Sequence, residues 1–178
     1  MKKLLNKVLL WIGLFLLGLI LVSFFLPKEI SIRRSVRISA PMYRVFDQVN
    51  DLRNWERWSP WKRMDPAMVM TFSNPPVGEK AFYKWESANS RIGHGTLTLA
   101  RVVPDQEVWM SIEFADRGPE SALFQFAHVD NEIELTWSMD TRVGVMPWSK
   151  YFGLLLKSEM KKQFDEGLRA IKFYAEKS

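Results

Sequence analysis

The sequence predicts an α+β fold in which an apolar N-terminal helix precedes one domain of short helices, an antiparallel sheet and a long C-terminal helix. Three patterns indicate this fold. Residues 8–26 carry no charge, residues 68–139 mostly alternate apolar and polar side chains, and residues 147–177 repeat apolar side chains at helical spacing. The expected organisation is a transmembrane anchor at 1–26, a linker at 27–31 and the domain at 32–178.

The composition is typical of one globular domain with an appendage. The chain has 178 residues, of which 47% are hydrophobic and 25% charged. Three of its 25 Lys and Arg residues lie in residues 1–26, which have no acidic residue, so the remainder carries 22 basic against 20 acidic residues. Because these charges form no dense basic stripe, we expect no nucleic-acid partner. The absence of cysteine excludes thiol nucleophiles, disulfides and cysteine-ligated metals.

The uncharged stretch of residues 8–26 is long enough to cross a bilayer as a helix. Trp11 near one end and Phe24 near the other suit the two interfaces. The alternatives are a cleaved signal peptide and a buried core helix. Bulky residues stand where a signal peptidase needs small ones, and a soluble core helix is rarely apolar on every face. We therefore expect residues 8–26 to bind the membrane as an uncleaved anchor.

The basic residues on both sides of the anchor bear on its orientation. Three lysines precede the span and favour a cytoplasmic N-terminus, which places the domain outside the cytoplasm. Four basic residues follow the span and count against this orientation: Lys28, Arg33, Arg34 and Arg37. We expect a single-pass protein of the cell membrane with an extracytoplasmic domain.

The domain begins with a strand and two short helices. Residues 30–38 alternate as a half-buried strand does, and Pro41 suits the first turn of a helix. The next segment holds Trp55, Trp58 and Trp61. These indoles either brace the short helices against the sheet or contact a ligand or lipid headgroups at a cavity mouth.

Six alternating runs then predict an antiparallel meander, because the turns between them are short. The runs are 68–72, 82–87, 95–103, 108–114, 122–128 and 133–139. From Pro147 the spacing is helical, and one apolar stripe must be buried on the sheet. This stripe is made of Phe152, Leu156, Met160, Phe164, Leu168, Ile171 and Ala175.

Several short motifs in this order resemble those of the SRPBCC (START-like, helix-grip) superfamily, and within it the polyketide cyclase/dehydratase-like group. They are VRISAP at 36–41, VFDQV at 45–49, DLRNW at 51–55, WSPW at 58–61, VG at 77–78, YKWES at 83–87 and GHG at 93–95. With the long terminal helix, the resemblance covers residues 32–176. It implies a sheet wrapped around the helix and a cavity for apolar or amphipathic molecules. The superfamily includes lipid carriers, hormone receptors, cyclases and chaperone activators, so the fold alone does not determine the function.

We expect the domain to bind a hydrophobic or lipid-like small molecule without catalysis, in a cavity between the sheet and the helix. Strand parity and the helical stripe predict the lining residues. They are Met70, Phe72, Tyr83, Trp85, Met110, Ile112, Phe124, Phe126, Trp137 and Met139 on the sheet, and Phe152, Leu156, Met160 and Phe164 on the helix. The frequent methionines suit a deformable pocket and equally an ordinary core.

The runner-up interpretation is a polyketide cyclase/dehydratase-like enzyme acting on an apolar substrate. His128 shares its parity with Phe124 and Phe126, so it is the best candidate for an acid or base, but no partner for it is evident. Nothing in the spacing of His94 and His128 requires a metal, even with a nearby carboxylate. Gly93 and Gly95 lead into a strand rather than a helix, so no dinucleotide loop is predicted and we expect no cofactor.

A third interpretation is a protein-interaction module whose cavity is filled by its own side chains. It predicts no affinity for small molecules and a dependence on exposed residues around 58–61. The sequence identifies no protein partner.

Overall fold

The structure, a computed structural model, describes residues 2–27, 29–115, 118–142, 144 and 146–177. Its elements are α1 (Lys2–Ser23), β1 (Glu29–Ile38), α2 (Met42–Asn50), a 3₁₀ turn (Leu52–Asn54), α3 (Trp55–Trp58), α4 (Pro60–Met64), β2 (Val69–Phe72), β3 (Phe82–Glu86), β4 (His94–Val103), β5 (Glu107–Phe114), β6 (Glu120–Val129), β7 (Glu132–Arg142) and α5 (Pro147–Lys177). This order confirms the predicted α+β fold. β1 begins at Glu29, inside the expected linker 27–31, and Lys28 lies outside the described residues.

The seven strands form one sheet in the order β1-β7-β6-β5-β4-β3-β2. The strands from β2 to β7 are an antiparallel meander, because each pairs with the next along the chain. β1 joins beside β7, where the hydroxyls of Ser35 and Thr136 lie 2.8 Å apart. Side chains alternate between the two faces, so one face of each central strand is buried.

The chain divides into two compact units. The first, which we call the helical unit, consists of Met1–Ile30 and Arg142–Glu159, and the second, the sheet unit, of Ser31–Thr141 and Met160–Ser178. In the helical unit, Asn6–Ser23 is long and apolar enough to cross a membrane, a criterion that a signal sequence also meets. In the sheet unit, the later turns of α5 bury Phe164, Leu168 and Ile171.

The short helices of the sheet unit are fixed by two tryptophans. The indole N–H of Trp55 donates to the carbonyl of Val49 at 3.0 Å, and that of Trp58 donates to the carbonyl of Gln48 at 2.8 Å. Both carbonyls belong to the last turn of α2. Carbonyl groups in the last turn of a helix have no backbone N–H partner within that helix. Trp55 and Trp58 are fully buried, so the structure favours the bracing role over the ligand-contact role for these two residues.

Candidate functional site

The candidate site is the face of the sheet on which the later turns of α5 pack, here called the inner face. Trp137 of β7 and Phe164 of α5 stack on this face with ring centroids 3.9 Å apart. The cross-strand register places inner-face side chains in rows that run across the strands. Two parts of this face differ in side-chain type, one being aromatic and the other aliphatic and thioether.

The first part is an aromatic cluster that fills its own space. Phe124 stacks on Trp137 at 4.8 Å, and Trp58 meets Trp137 edge-on at 5.8 Å. With Trp55 and Phe164, these side chains are at most 1% exposed. A ligand could enter here only by displacing aromatic rings that already contact one another, so this part of the face is core.

The second part is a row with one small residue between two methionines, which we call the methionine row. The register aligns Leu99, Met110, Ala122 and Met139 across four strands. All four are buried. A methyl group between two flexible thioether side chains gives a wall that can change shape at little cost, as promiscuous apolar sites do.

The neighbouring row contains two polar side chains of this face, Tyr83 and Glu120. Phe72, Tyr83, Leu97, Ile112 and Glu120 are aligned by register across five strands. The hydroxyl of Thr141 donates to Glu120 Oε1 at 3.1 Å, which fixes the carboxylate at the end of the row. An apolar surface that ends on a few oriented polar groups is the usual form of a site for amphipathic molecules.

Sequence reasoning missed both members of this pair. The predicted runs began at Ala122 and ended at Met139, whereas β6 begins at Glu120 and β7 reaches Arg142. The signal was present, because Glu120 has the parity of Ala122 and Phe124, and Thr141 has that of Met139. Glu120 and Thr141 lie just outside the predicted runs at 122–128 and 133–139.

Tyr83 is the buried titratable group of the same row. Burial raises the pKa of Tyr83 far above its ordinary value, so its hydroxyl stays protonated at physiological pH. It can donate a hydrogen bond, but it cannot act as a base. Three strand spacings, about 14 Å, separate it from Glu120, which is too far for direct proton transfer between the two.

Arg34 is the charged group that β1 presents on the inner face. Its Nε and Nη2 donate to the two carboxylate oxygens of Asp165 in α5 at 2.6 and 2.7 Å. The hydrogen bond and charge of Asp165 raise the pKa of Arg34 above its ordinary value. This two-point ion pair fastens α5 to the sheet edge and leaves neither partner free for chemistry.

The predicted lining residues are distributed unevenly in the structure. Met70 and Phe72 are half-buried on the edge strand β2, as is Met160 on α5. Leu156 is 45% exposed and belongs to the helical unit, and the side chain of Phe152 lies outside the described residues. The other predicted lining residues are buried in the sheet unit: Tyr83, Trp85, Met110, Ile112, Phe124, Phe126, Trp137, Met139 and Phe164.

The two histidines lie apart from the buried rows. His128 is exposed near the end of β6, one residue after Ala127, which is also exposed. His128 lies on the same side of β6 as Phe126, which is buried. The inner face is no longer buried at His128, close to the turn at Asp130. His94 is exposed at the start of β4. Within the described residues, no three His, Asp or Glu side chains are grouped so that they could hold a metal ion.

Comparisons with known proteins bear on the fold of this chain. A family model described as "Polyketide cyclase / dehydrase and lipid transport" matches residues 29–176. No sequence match is found among curated proteins.

Solved structures with the same fold have little sequence identity to this chain. The Aha1 dimer from Colwellia psychrerythraea is similar with a TM-score of 0.59 at 12% identity, over 83% of this chain and 96% of that one. Protein CV1439 from Chromobacterium violaceum has a TM-score of 0.58 at 16% identity, over 84% and 99%. Protein SA2116 from Staphylococcus aureus, of unknown function, has a TM-score of 0.62 at 11% identity, over 82% and 95%. At these identities the likeness shows the fold alone.

Proposed function

Since the chain belongs to the polyketide cyclase/dehydrase and lipid transport family, we propose that it is a membrane-anchored protein that binds a hydrophobic or lipid-like small molecule without catalysing a reaction. The observation that carries the proposal is the methionine row, which lies beside a row that ends on the Glu120–Thr141 pair. An acyl chain would lie along the apolar side chains. A polar head that carries a hydroxyl or amide N–H would donate a hydrogen bond to the Glu120 carboxylate, since the Thr141 proton is already donated to it.

The titratable groups on the inner face of the strands support a binding role. Arg34 is held by Asp165, Tyr83 stays protonated, and Glu120 accepts from Thr141. Apart from the Arg34–Asp165 ion pair, in which each partner neutralises the other, these described residues include no acid and base within hydrogen-bonding distance of each other. Acid–base catalysis requires such groups to be aimed at a common point. His128, the candidate from parity, is exposed.

The anchor in this proposal is α1. Its apolar span at Asn6–Ser23 would cross the cell membrane once, and the lysines at its N-terminal end (Lys2, Lys3 and Lys7) favour an extracytoplasmic sheet unit. Such an anchor keeps the binding domain close to a supply of membrane lipid.

A photoactivatable fatty alcohol, whose hydroxyl can donate to Glu120, tests where such a molecule binds. We would reconstitute the full chain in phosphatidylcholine nanodiscs, add diazirine-bearing hexadecanol, irradiate, and map the labelled peptides by mass spectrometry. Labelling within β5, β6 and β7 that unlabelled hexadecanol competes away is the expected result. Labelling confined to α1 would mean that the probe only reaches the span through the lipid, and the proposed binding site would be wrong.

Filling the methionine row should abolish that labelling. In Ala122→Trp, an indole would occupy the space between Met110 and Met139, and we expect sheet labelling to fall at least about tenfold, the equivalent of 1.4 kcal/mol of lost binding. Ala127→Trp is the matched control, because Ala127 lies exposed on the same strand. Ala122→Leu provides a milder version, and circular dichroism verifies that each variant folds. Equal labelling of folded Ala122→Trp and Ala127→Trp would contradict the proposal.

A further inference from the structure

The helical unit contains an apolar surface that the proposed binding site does not use. It is formed by the first turns of α5 and the residue before them. Met146, Trp148, Leu155 and Leu156 are 54%, 64%, 70% and 45% exposed, respectively. Trp148 and Leu155 are seven residues apart, so they lie on one side of the helix two turns apart. Exposed large apolar side chains grouped in this way mark an interaction surface.

Two hydrogen bonds fix these turns against the end of α1. Lys150 Nζ donates to the carbonyl oxygen of Ser23 at 2.6 Å, and the Tyr151 hydroxyl donates to the carbonyl oxygen of Leu19 at 2.7 Å. Lys150 is itself buried, with its ammonium 6.0 Å from the ring centroid of Phe24. A cation at the last carbonyls of a helix satisfies acceptors that have no partner in the helix.

These contacts also determine how far along the candidate span of α1 the first turns of α5 lie. Leu19 lies one turn before Ser23, where the candidate span ends, so the hydroxyl of Tyr151 reaches about 6 Å back along the span. Trp, Tyr and Lys side chains concentrate at the boundary between headgroups and acyl chains, where an amphipathic helix buries its apolar side by about 5–10 Å. The first turns of α5 have this composition and lie at this depth.

From this arrangement we propose that residues 146–156 are a second membrane contact, in which the first turns of α5 lie in the phospholipid interface on the side where α1 ends. Trp148 and Leu155 enter the upper acyl region, and Lys150 and Tyr151 join the segment to the anchor. The occupant of the exposed surface is the bilayer, because the segment is bound to the last turns of the membrane span itself. This inference rests on the membrane anchoring proposed above.

Depth-dependent quenching tests this contact in the full chain. The sequence has no cysteine, so a single substitution can carry one environment-sensitive NBD fluorophore. Leu155→Cys is suited to this label because it is exposed. In phosphatidylcholine vesicles we expect its fluorescence to fall by roughly half with lipid spin-labelled at acyl carbon 5, and less with label at carbon 12, as expected for an interfacial depth.

Two further labelled positions separate the possible outcomes. Leu14→Cys, in the middle of the span, should be quenched best by the carbon-12 label, and Glu159→Cys, one turn beyond Leu155 on α5, should be quenched less than Leu155. If Leu14 is quenched while Leu155 is not, the second contact is wrong and the anchor stands. If neither is quenched, the anchoring fails and this inference fails with it.

Discussion

Replacing Trp137 by alanine is expected to destabilise the sheet unit by about 3–5 kcal/mol, the usual cost of removing a large aromatic side chain from a core. Trp137 is 1% exposed and lies between Phe124 and Phe164, at 4.8 and 3.9 Å between ring centroids. It also meets Trp58 and Trp61 edge-on. Its removal would therefore open a cavity among rings that belong to three helices and one neighbouring strand. Urea unfolding of the full chain in mild detergent measures this loss.

Trp137→Phe is the control for that experiment. The indole N–H of Trp137 is buried without a hydrogen-bond partner among the described residues, so a phenyl ring loses volume but no hydrogen bond. We expect its cost to stay below about 1.5 kcal/mol, as for a modest change of shape in a core. Similar losses for Trp137→Ala and Trp137→Phe would show that the cluster is not the tightly packed core described above.

Gly95→Val should destabilise the sheet unit by about 2–3 kcal/mol, because it adds volume where none is free. A side chain at this position would overlap the indole of Trp85 and the backbone oxygen of Glu113. Trp85 lies directly across the strand pair from Gly95, and its own N–H donates to the carbonyl of Ile92 at 3.3 Å. The indole cannot move away without giving up that hydrogen bond.

Thr96→Val is the matched variant for Gly95→Val, since it changes the next residue of the same strand without adding bulk on the inner face. The thermal midpoint of unfolding, followed by circular dichroism, should fall for Gly95→Val and stay nearly unchanged for Thr96→Val. An unchanged midpoint in Gly95→Val would mean that Trp85 does not occupy the space beside Gly95.

Strand parity in the sequence was enough to predict most of the inner face. Met110, Phe124 and Trp137 are buried as expected, because alternation along a strand directly reports which side chains share a face. Parity could not show which neighbours each inner-face side chain contacts. Phe124 and Met110 have the same periodicity, but one lies in an aromatic stack and the other beside Ala122. That difference depends on side chains brought together from distant segments.

The sequence also could not show how α5 is divided. Its apolar stripe continues from residue 152 to 175 without interruption, so one continuous surface on the sheet was the natural prediction. In the structure Phe164 is buried in the sheet unit, whereas the hydroxyl of Tyr151 donates a hydrogen bond to a backbone carbonyl of α1. Helical periodicity tells which residues share a side of a helix, and it contains no information on what covers each part of that side.

The close approach of the buried indoles gives the folded chain an optical signature. The rings of Trp55 and Trp58 are 4.3 Å apart and tilted by 47°, and Trp58 meets Trp137 at 5.8 Å and 90°. Chromophores held at fixed, non-parallel angles couple their electronic transitions, which produces strong circular dichroism between 250 and 300 nm. A state that keeps its helices and strands but loosens its side-chain packing loses this signal. The near-ultraviolet spectrum thus reports interior order in this chain separately from its secondary structure.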